Sequence, residues 1–329
     1  MTRNLSPIGG FFELELPTGK QRVHSAAAAL STGRSCLCAI LAHLRPRRCL
    51  LPYYICNSAL EPFRKHGVDV DFYEVTEALT PIDYPDLGLG EYLMYVNYFG
   101  IKRNEVSRLE SRYGSQLIVD NTHDFFHESG YAKAWSFTSA RKYFGIPDGA
   151  FLSIPPGISK EDVVPPTTPE FKEISLQHSL QRLLGHQVEA FDLFGNYEGR
   201  MPCELYRMSE YSRCILSHID FKHVRTVRRR NFEQLSEALG HSNQLQTTFP
   251  NQSEPIAYPF LPKQPISRQK LFDQQIYVPT LWPKLPHRPP EIHSTAIQLS
   301  QNILPLPIDH RYGSAEIKRI VDVVTNYAE

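Results

Sequence analysis

The sequence predicts an α/β fold: a large domain with a mostly parallel sheet covered by helices, followed by a smaller C-terminal α/β domain. Three observations predict it. Short apolar strand patterns alternate with amphipathic helices over residues 34–154, as in a parallel sheet covered on both faces. Residues 166–240 then read as helical without an intervening strand, and a second, shorter alternation begins beyond 245. A chain of 329 residues is long enough for two cores. The boundary is set at 1–220 for the large domain, including a dimer-forming helical segment, and 221–329 for the small one.

The elements follow in order. RSCLCAILAHL (34–44) places Leu37, Ile40, Leu41 and Leu44 on one helix face, opening on Ser31-Thr32-Gly33 and stopped by Pro46. Next come a strand at 49–54, a helix at 57–67, strands at 69–74 and 92–99, a helix around 103–113, and strands at 116–120, 134–139 and 149–154. Two long helical stretches cover SLQHSLQRLLGHQVEAF and SRCILSHIDFKHVRTVRRRNFEQLSEAL. The second domain reads as strand 258–261, helix 267–275, strand 276–280, a proline-rich loop, helix 294–302, strand 304–308 and a closing helix from Ser314. Tyr277 and Trp282 flank that loop and are assigned to core packing.

Composition narrows the function. Lys+Arg and Asp+Glu are equal at 35 each, so no net positive field is available to hold nucleic acid. Hydrophobic residues at 41% and charged residues at 21% exclude a disordered chain. No run approaches a membrane span, and MTRNLSPIGGFF lacks the features of a signal peptide, so a cytoplasmic protein without a membrane partner is expected. The six cysteines are too few and irregular for a disulfide framework and read as reduced thiols. Cys36 and Cys38, one residue apart on a helix, point to different sides, so no metal site is expected.

Three segments carry candidate chemistry. STGRS (31–35) puts a glycine and free backbone N–H groups at a helix N-terminus, where a phosphate is held by unpaired donors and the helix dipole; alone it is also an ordinary cap. LIVDNTH (117–123) runs an apolar strand into Asp120, with His123 three residues on; a carboxylate at such a strand end needs a cation, a cap partner or an arginine. WSFTSARKYFGIPDGAFL (135–152) sets Lys142 in a turn between two strands, after Ser136, Thr138 and Ser139 and before a glycine-bounded loop. Arg141 beside Lys142 is a like charge that favours the free amine. A phosphate cap, a strand-end aspartate and a lysine flanked by hydroxyls, in that order, are what a pyridoxal 5'-phosphate site requires.

Here the sequence resembles the DegT/DnrJ/EryC1/StrS sugar aminotransferases, which have the fold-type I architecture of aspartate aminotransferase. The resemblance runs through IGG near the start, STGRS, LPYYICNSALEPFRKHGVDVDFYEV, VNYFG, IVDNTH, SFTSARKYFGIPDGAFL, YRMSE with the helix ending RRRNFEQL, and LPLPIDHRYG. It implies that Lys142 is the catalytic lysine that holds the cofactor and shuttles a proton. It implies that Asp120 pairs with the pyridine nitrogen and that His123, where the family usually has Gln, donates to the phenolic oxygen. Gly33, Arg34 and Ser35 match the phosphate-binding turn. Ser136 matches the phosphate hydroxyl with Ser139 as rival, and Cys56 stands at the position that usually stacks on the ring. Leu205 replaces the family's Asn in the segment that reaches a neighbouring subunit.

The function implied is transfer of an amino group, from glutamate, to a nucleotide-linked keto-sugar in surface polysaccharide or amino-sugar biosynthesis, by a homodimer. Two alternatives stay open: a sugar dehydratase, against which Lys142 argues because one dehydratase branch has histidine there, and a non-catalytic or regulatory relative that keeps the cofactor. The YRMSE segment and the long helix after it carry Met208, Tyr211, Ile215, Ile219 and Phe221, an apolar surplus assigned to the dimer interface. Arg225, Arg228, Arg229 and Arg230 are assigned to a solvated or salt-bridged helix face.

Overall fold

The computed structural model describes residues 16, 19, 21–245, 254–283, 285 and 294–328. The IGG motif at 8–10 and most of the proline-rich segment lie outside them. In chain order the elements are β1 (Ala28–Leu30), α1 (Gly33–Leu44), β2 (Arg48–Pro52), α2 (Leu60–Lys65), β3 (Asp69–Tyr73), β4 (Glu91–Val96), α3 (Arg103–Tyr113), β5 (Leu117–Asp120), β6 (Trp135–Ser139) and β7 (Ala150–Ser153). After these come α4 (Lys160–Val163), α5 (Gln177–Leu183), α6 (Gln187–Arg200), α7 (Glu210–Ser217) and α8 (Phe221–Leu239). The chain closes with β8 (Tyr258–Phe260), α9 (Arg268–Asp273), α10 (Ser294–Asn302), β9 (Leu304–Leu306) and α11 (Ser314–Ala328).

Seven strands form one sheet in the order β3-β2-β4-β5-β6-β7-β1. β3, β2, β4, β5 and β6 run parallel, whereas β7 is antiparallel to both neighbours, β6 and β1. The carboxyl ends of β4, β5 and β6 therefore open on one edge, where ligands of such sheets bind. α1 crosses the face carrying Trp135 and Phe137; Leu37, Ile40 and Leu41 are its buried ridge, each worth about 2 kcal/mol of apolar burial. Thr32 starts the helix by accepting the Ser35 N–H (3.0 Å), and Arg45 ends it in a left-handed conformation ahead of Pro46.

The small domain is a two-stranded antiparallel β8–β9 sheet with the second half of α8, α9 and α11 around it. The two cores interlock across the expected boundary. Phe221 and Val224 of α8 pack with the large-domain aromatics, while Leu235 and Leu239 join the small core. Ala296, Leu299 and Ile303 in and just after α10 pack into the large core.

Several sequence expectations are corrected. The two long helical stretches are each broken, at Gly185 with φ +87° and at Asp220, which caps α8 by accepting the His223 N–H at 3.0 Å. Residues 276–280 bury Ile276 and Val278 but form no strand, in keeping with a proline that has no ladder donor and a left-handed Gln275 just before. The apolar surplus after YRMSE is core of its own chain: Met208 and Phe221 are buried, Ile215 and Ile219 pack against them, and only Tyr211 is exposed. Of the α8 arginines, Arg225 and Arg229 are salt-bridged as expected, to the buried Glu254, whereas Arg228 departs from that reading: it is itself buried and donates to the Pro255 carbonyl.

Candidate active site

The site is assembled from three strand ends and the start of α1. Asp120 is the last residue of β5 and lies in register with Phe137 of β6. Gly33 packs under Phe137: a Cβ there would meet the ring at 3.2 Å, so the first turn of α1 comes this close because glycine has no side chain. The Gly33 and Arg34 amides, as first residues of the helix, have no intrahelical acceptor and sit at its positive end. The Arg34 side chain pairs with Glu61 at 2.9 Å. The Ser35 hydroxyl is buried among Ser31 Oγ (2.8 Å), Thr32 Oγ1 (3.3 Å) and the Glu204 carbonyl (2.5 Å). In this turn it is thus the backbone, more than the side chains of 34 and 35, that stands open to an anion.

The strand pleat separates the two candidate serines. Trp135, Phe137 and Ser139 alternate onto the α1 face, whereas Ser136 and Thr138 take the opposite one. Ser139 therefore shares a face with Gly33 and Asp120, and Ser136 does not. Thr138 closes that other face by donating to the Asn121 carbonyl at 2.8 Å.

Asp120 is partly reachable by solvent, and its Oδ1 accepts the Thr122 N–H at 2.9 Å. Burial raises its carboxyl above the usual range, while the Thr122 hydrogen bonds and the charge of Lys142 pull it back. Among the described residues no cation lies within ion-pair distance of it. It is an acid in need of a positive partner that the chain itself does not bring into contact.

His123 is buried, and burial together with the charge of Lys142 pushes its imidazole down to about 3. Its Nδ1 accepts the Phe99 N–H at 3.1 Å, so the neutral ring carries its proton on Nε2 and is a donor there. The loop that carries it is held from three sides. Asp124, fully buried, receives Arg103 Nε (2.6 Å) and Nη2 (2.7 Å) and Asn97 Nδ2 (3.1 Å). The Tyr143 hydroxyl donates to the His123 carbonyl at 2.6 Å. Gly100, at φ +80°, passes so close that a Cβ would lie 2.2 Å from the same carbonyl oxygen.

The depressed imidazole predicts a pH effect. Between about 3 and 6.5 the unfolded chain binds a proton at His123 that the folded chain refuses, so stability falls as pH drops through that window. His123→Gln lacks this group. Its unfolding free energy, followed by denaturant titration from pH 6.5 to 4, is expected to fall less steeply than the parent's by up to one proton, about 1.4 kcal/mol per pH unit. Equal slopes would show that His123 is not held neutral.

Lys142 lies in a 3-10 turn, Ala140–Lys142, directly after β6 and is exposed. Arg141 is not a free like charge beside it, as the sequence suggested: its guanidinium pairs with Glu198 of α6 and lies over the Tyr197 ring at 5.9 Å. Burial works to raise the Glu198 carboxyl, but Arg141, then Lys142 and Arg34, outweigh it and hold it below the usual range. The loop after the lysine is pinned by Asp148, a buried carboxylate accepting the Ser209 N–H (2.9 Å), Ser209 Oγ (2.5 Å) and Ser212 Oγ (2.5 Å) at the start of α7. Sequence reasoning missed Glu198 and Asp148 because their partners are 57 and about 60 residues away. The Asp-Gly after Pro147 facing a Ser-Glu helix start is the one available hint.

Cys56 is half-buried at the turn after β2, its Sγ 3.0 Å from Ser58 Oγ. Leu205 packs against the large core of its own chain. A recess of about 840 Å³ between Lys160, Arg207, Arg213 and His24 contains none of the candidate residues. Among the described residues, no helix is long and apolar enough to cross a membrane.

No protein-family model matches this chain, and no curated protein does either. Solved structures do. DesV of S. venezuelae, in complex with a ketimine intermediate, is 15% identical with a TM-score of 0.64, covering 92% of this chain and 85% of its own. A DegT DnrJ EryC1 StrS aminotransferase from Brucella abortus is 14% identical at a TM-score of 0.58, with 92% and 86% covered. The E coli GDP-4-keto-6-deoxy-D-mannose-3-dehydratase with bound hydrated PLP is 13% identical at 0.61, with 90% and 87% covered. The seven-stranded sheet with its one reversed strand, matched over nine-tenths of the chain, gives this protein the fold-type I architecture of these sugar aminotransferases and dehydratases.

Proposed function

We propose that this chain binds pyridoxal 5'-phosphate and transfers an amino group, from glutamate, to a nucleotide-linked keto-sugar. One observation carries the reading: Lys142 lies within electrostatic reach of both Asp120 and His123 at adjoining strand ends, beside the open amides of α1. The residues present suit the cofactor. Asp120 is a half-buried acid with no cation in ion-pair contact among the described residues, His123 offers a fixed Nε2–H, and the Gly33 and Arg34 amides with Ser139 Oγ suit a phosphate.

When bound, pyridoxal phosphate supplies a protonated pyridine ring that draws electrons from the carbon bearing the amino group. The chain's residues do the rest. Asp120 accepts the ring N–H and keeps that proton in place. His123 donates to the phenolic oxygen. The start of α1 holds the phosphate, fixing the ring's orientation. Lys142 Nζ would be the residue that holds the cofactor, and it is the amine placed to move a proton there. Glu198 balances Arg141, so Arg141 is tied to α6 and does not stand beside Lys142 as a second free cation. The lysine favours transfer over the dehydratase reading.

Purified protein with added cofactor should absorb in the visible, and glutamate should remove that band. A band untouched by glutamate and by other amino donors would favour the non-catalytic alternative.

We read the chain as a cytoplasmic homodimer, in keeping with its six free cysteines. The apolar surface lies on the α5–α6 hairpin, where Leu183, Leu184, Val188 and Phe191 are 68–81% exposed. The hairpin also carries Glu198, so a second copy docked there would border the site. Sedimentation at micromolar concentration should give a dimer, and Val188→Glu combined with Phe191→Glu should give monomers with at least about tenfold lower activity. An active parent monomer would refute this.

A further inference from the structure

The position expected to stack an aromatic ring on the cofactor holds Cys56, which has no π face. An aromatic group does reach this place from elsewhere in the chain. Trp282 lies parallel to His123, with planes 1° apart and centroids 5.8 Å apart, an offset stack. Its ring also meets Tyr54, two residues before Cys56, edge-on at 4.6 Å, and Tyr98 at 5.9 Å. The Tyr54 hydroxyl is buried and has no hydrogen-bond partner among the described residues.

The indole is held in place by its backbone. Trp282 has φ +55°, a left-handed conformation that a bulky residue keeps only when its surroundings impose it. Ser300 Oγ in α10 donates to the Leu281 carbonyl (2.9 Å), with the Trp282 carbonyl at 3.2 Å. Arg268 in turn donates to the Ile303 carbonyl (2.7 Å) and, more loosely, to that of Ser300 (3.4 Å), bracing the end of α10.

We infer that Trp282 supplies the aromatic face for the cofactor ring, in place of the residue lost at Cys56. The inference rests on the proposed pyridoxal phosphate site. The ring that His123 orients through Nε2 meets an indole parallel to that imidazole. A residue some 226 positions beyond Cys56, carried by the segment before α10, thereby does what a residue after β2 does elsewhere.

The chain has two tryptophans, so comparing emission of the parent with Trp282→Phe isolates the Trp282 signal from that of the buried Trp135. Titration with pyridoxal phosphate should quench the parent strongly and Trp282→Phe by less than half as much. Trp282→Ala should weaken cofactor binding about three- to tenfold by visible absorbance, and Trp282→Phe should restore it to within about twofold. A parent that develops the visible band while Trp282→Ala binds equally well, or while Trp282→Phe is quenched like the parent, would overturn the assignment and leave the cofactor site standing. A parent with no visible band would remove both.

Discussion

Lys142→Ala is expected to lower kcat/KM for amino transfer by about 10⁴-fold or more, the largest effect of any single substitution in this chain. In the proposed site Lys142 would serve twice, as the covalent anchor of the cofactor and as the base that moves the proton; a general-base role alone contributes about 10²–10⁴-fold. The alanine variant should still bind cofactor, because phosphate, ring nitrogen and phenolic oxygen have their own partners on α1, Asp120 and His123. Because Lys142 is exposed at a turn, its loss should leave the fold intact. Steady-state transfer from glutamate to a nucleotide-linked keto-sugar, with thermal unfolding as a control, checks this. A variant retaining more than about one hundredth of parental activity would show that another amine does the work.

Asp120→Asn is the second. The amide is nearly the same size and can keep the Thr122 N–H bond, so cofactor binding should change little. It cannot hold a proton on the ring nitrogen, so transfer should fall by about 10²–10⁴-fold with KM for glutamate much less affected, in line with other buried orienting carboxylates. Near-normal turnover would make Asp120 a structural residue capping its own loop.

The strands and α1 were legible because their signals are local. CLLPYY, YLMYVNYF and QLIVD are apolar runs of strand length; β5 lies within the last, and β2 and β4 each begin one residue before theirs. β1, only Ala28–Leu30, is too short to show a pattern and exists because β7 pairs with it. The breaks at Gly185 and Asp220 were masked by helical periodicity that continues on both sides. That Asp120, His123 and Lys142 would meet at adjoining strand ends was legible from their order along the chain. The choice between Ser136 and Ser139 was not, because it depends on which face of β6 meets α1, a fact of the pleat and the crossover. Glu198, Asp148 and Trp282 depend on contacts between segments about 60 to 160 residues apart, for which single-sequence spacing carries no signal. Trp282 reads as core packing and does pack against the large core; the role proposed for its ring depends on where α10 holds it.

The measurement that bears most directly on the proposed chemistry is borohydride reduction of the cofactor-loaded protein, followed by peptide mapping. The visible band should disappear, and one equivalent of reduced cofactor should be fixed on the peptide containing Lys142. A band that resists reduction, or a label on any other lysine, would contradict the assignment of Lys142 and with it the reading of this strand-end cluster as the site of amino transfer.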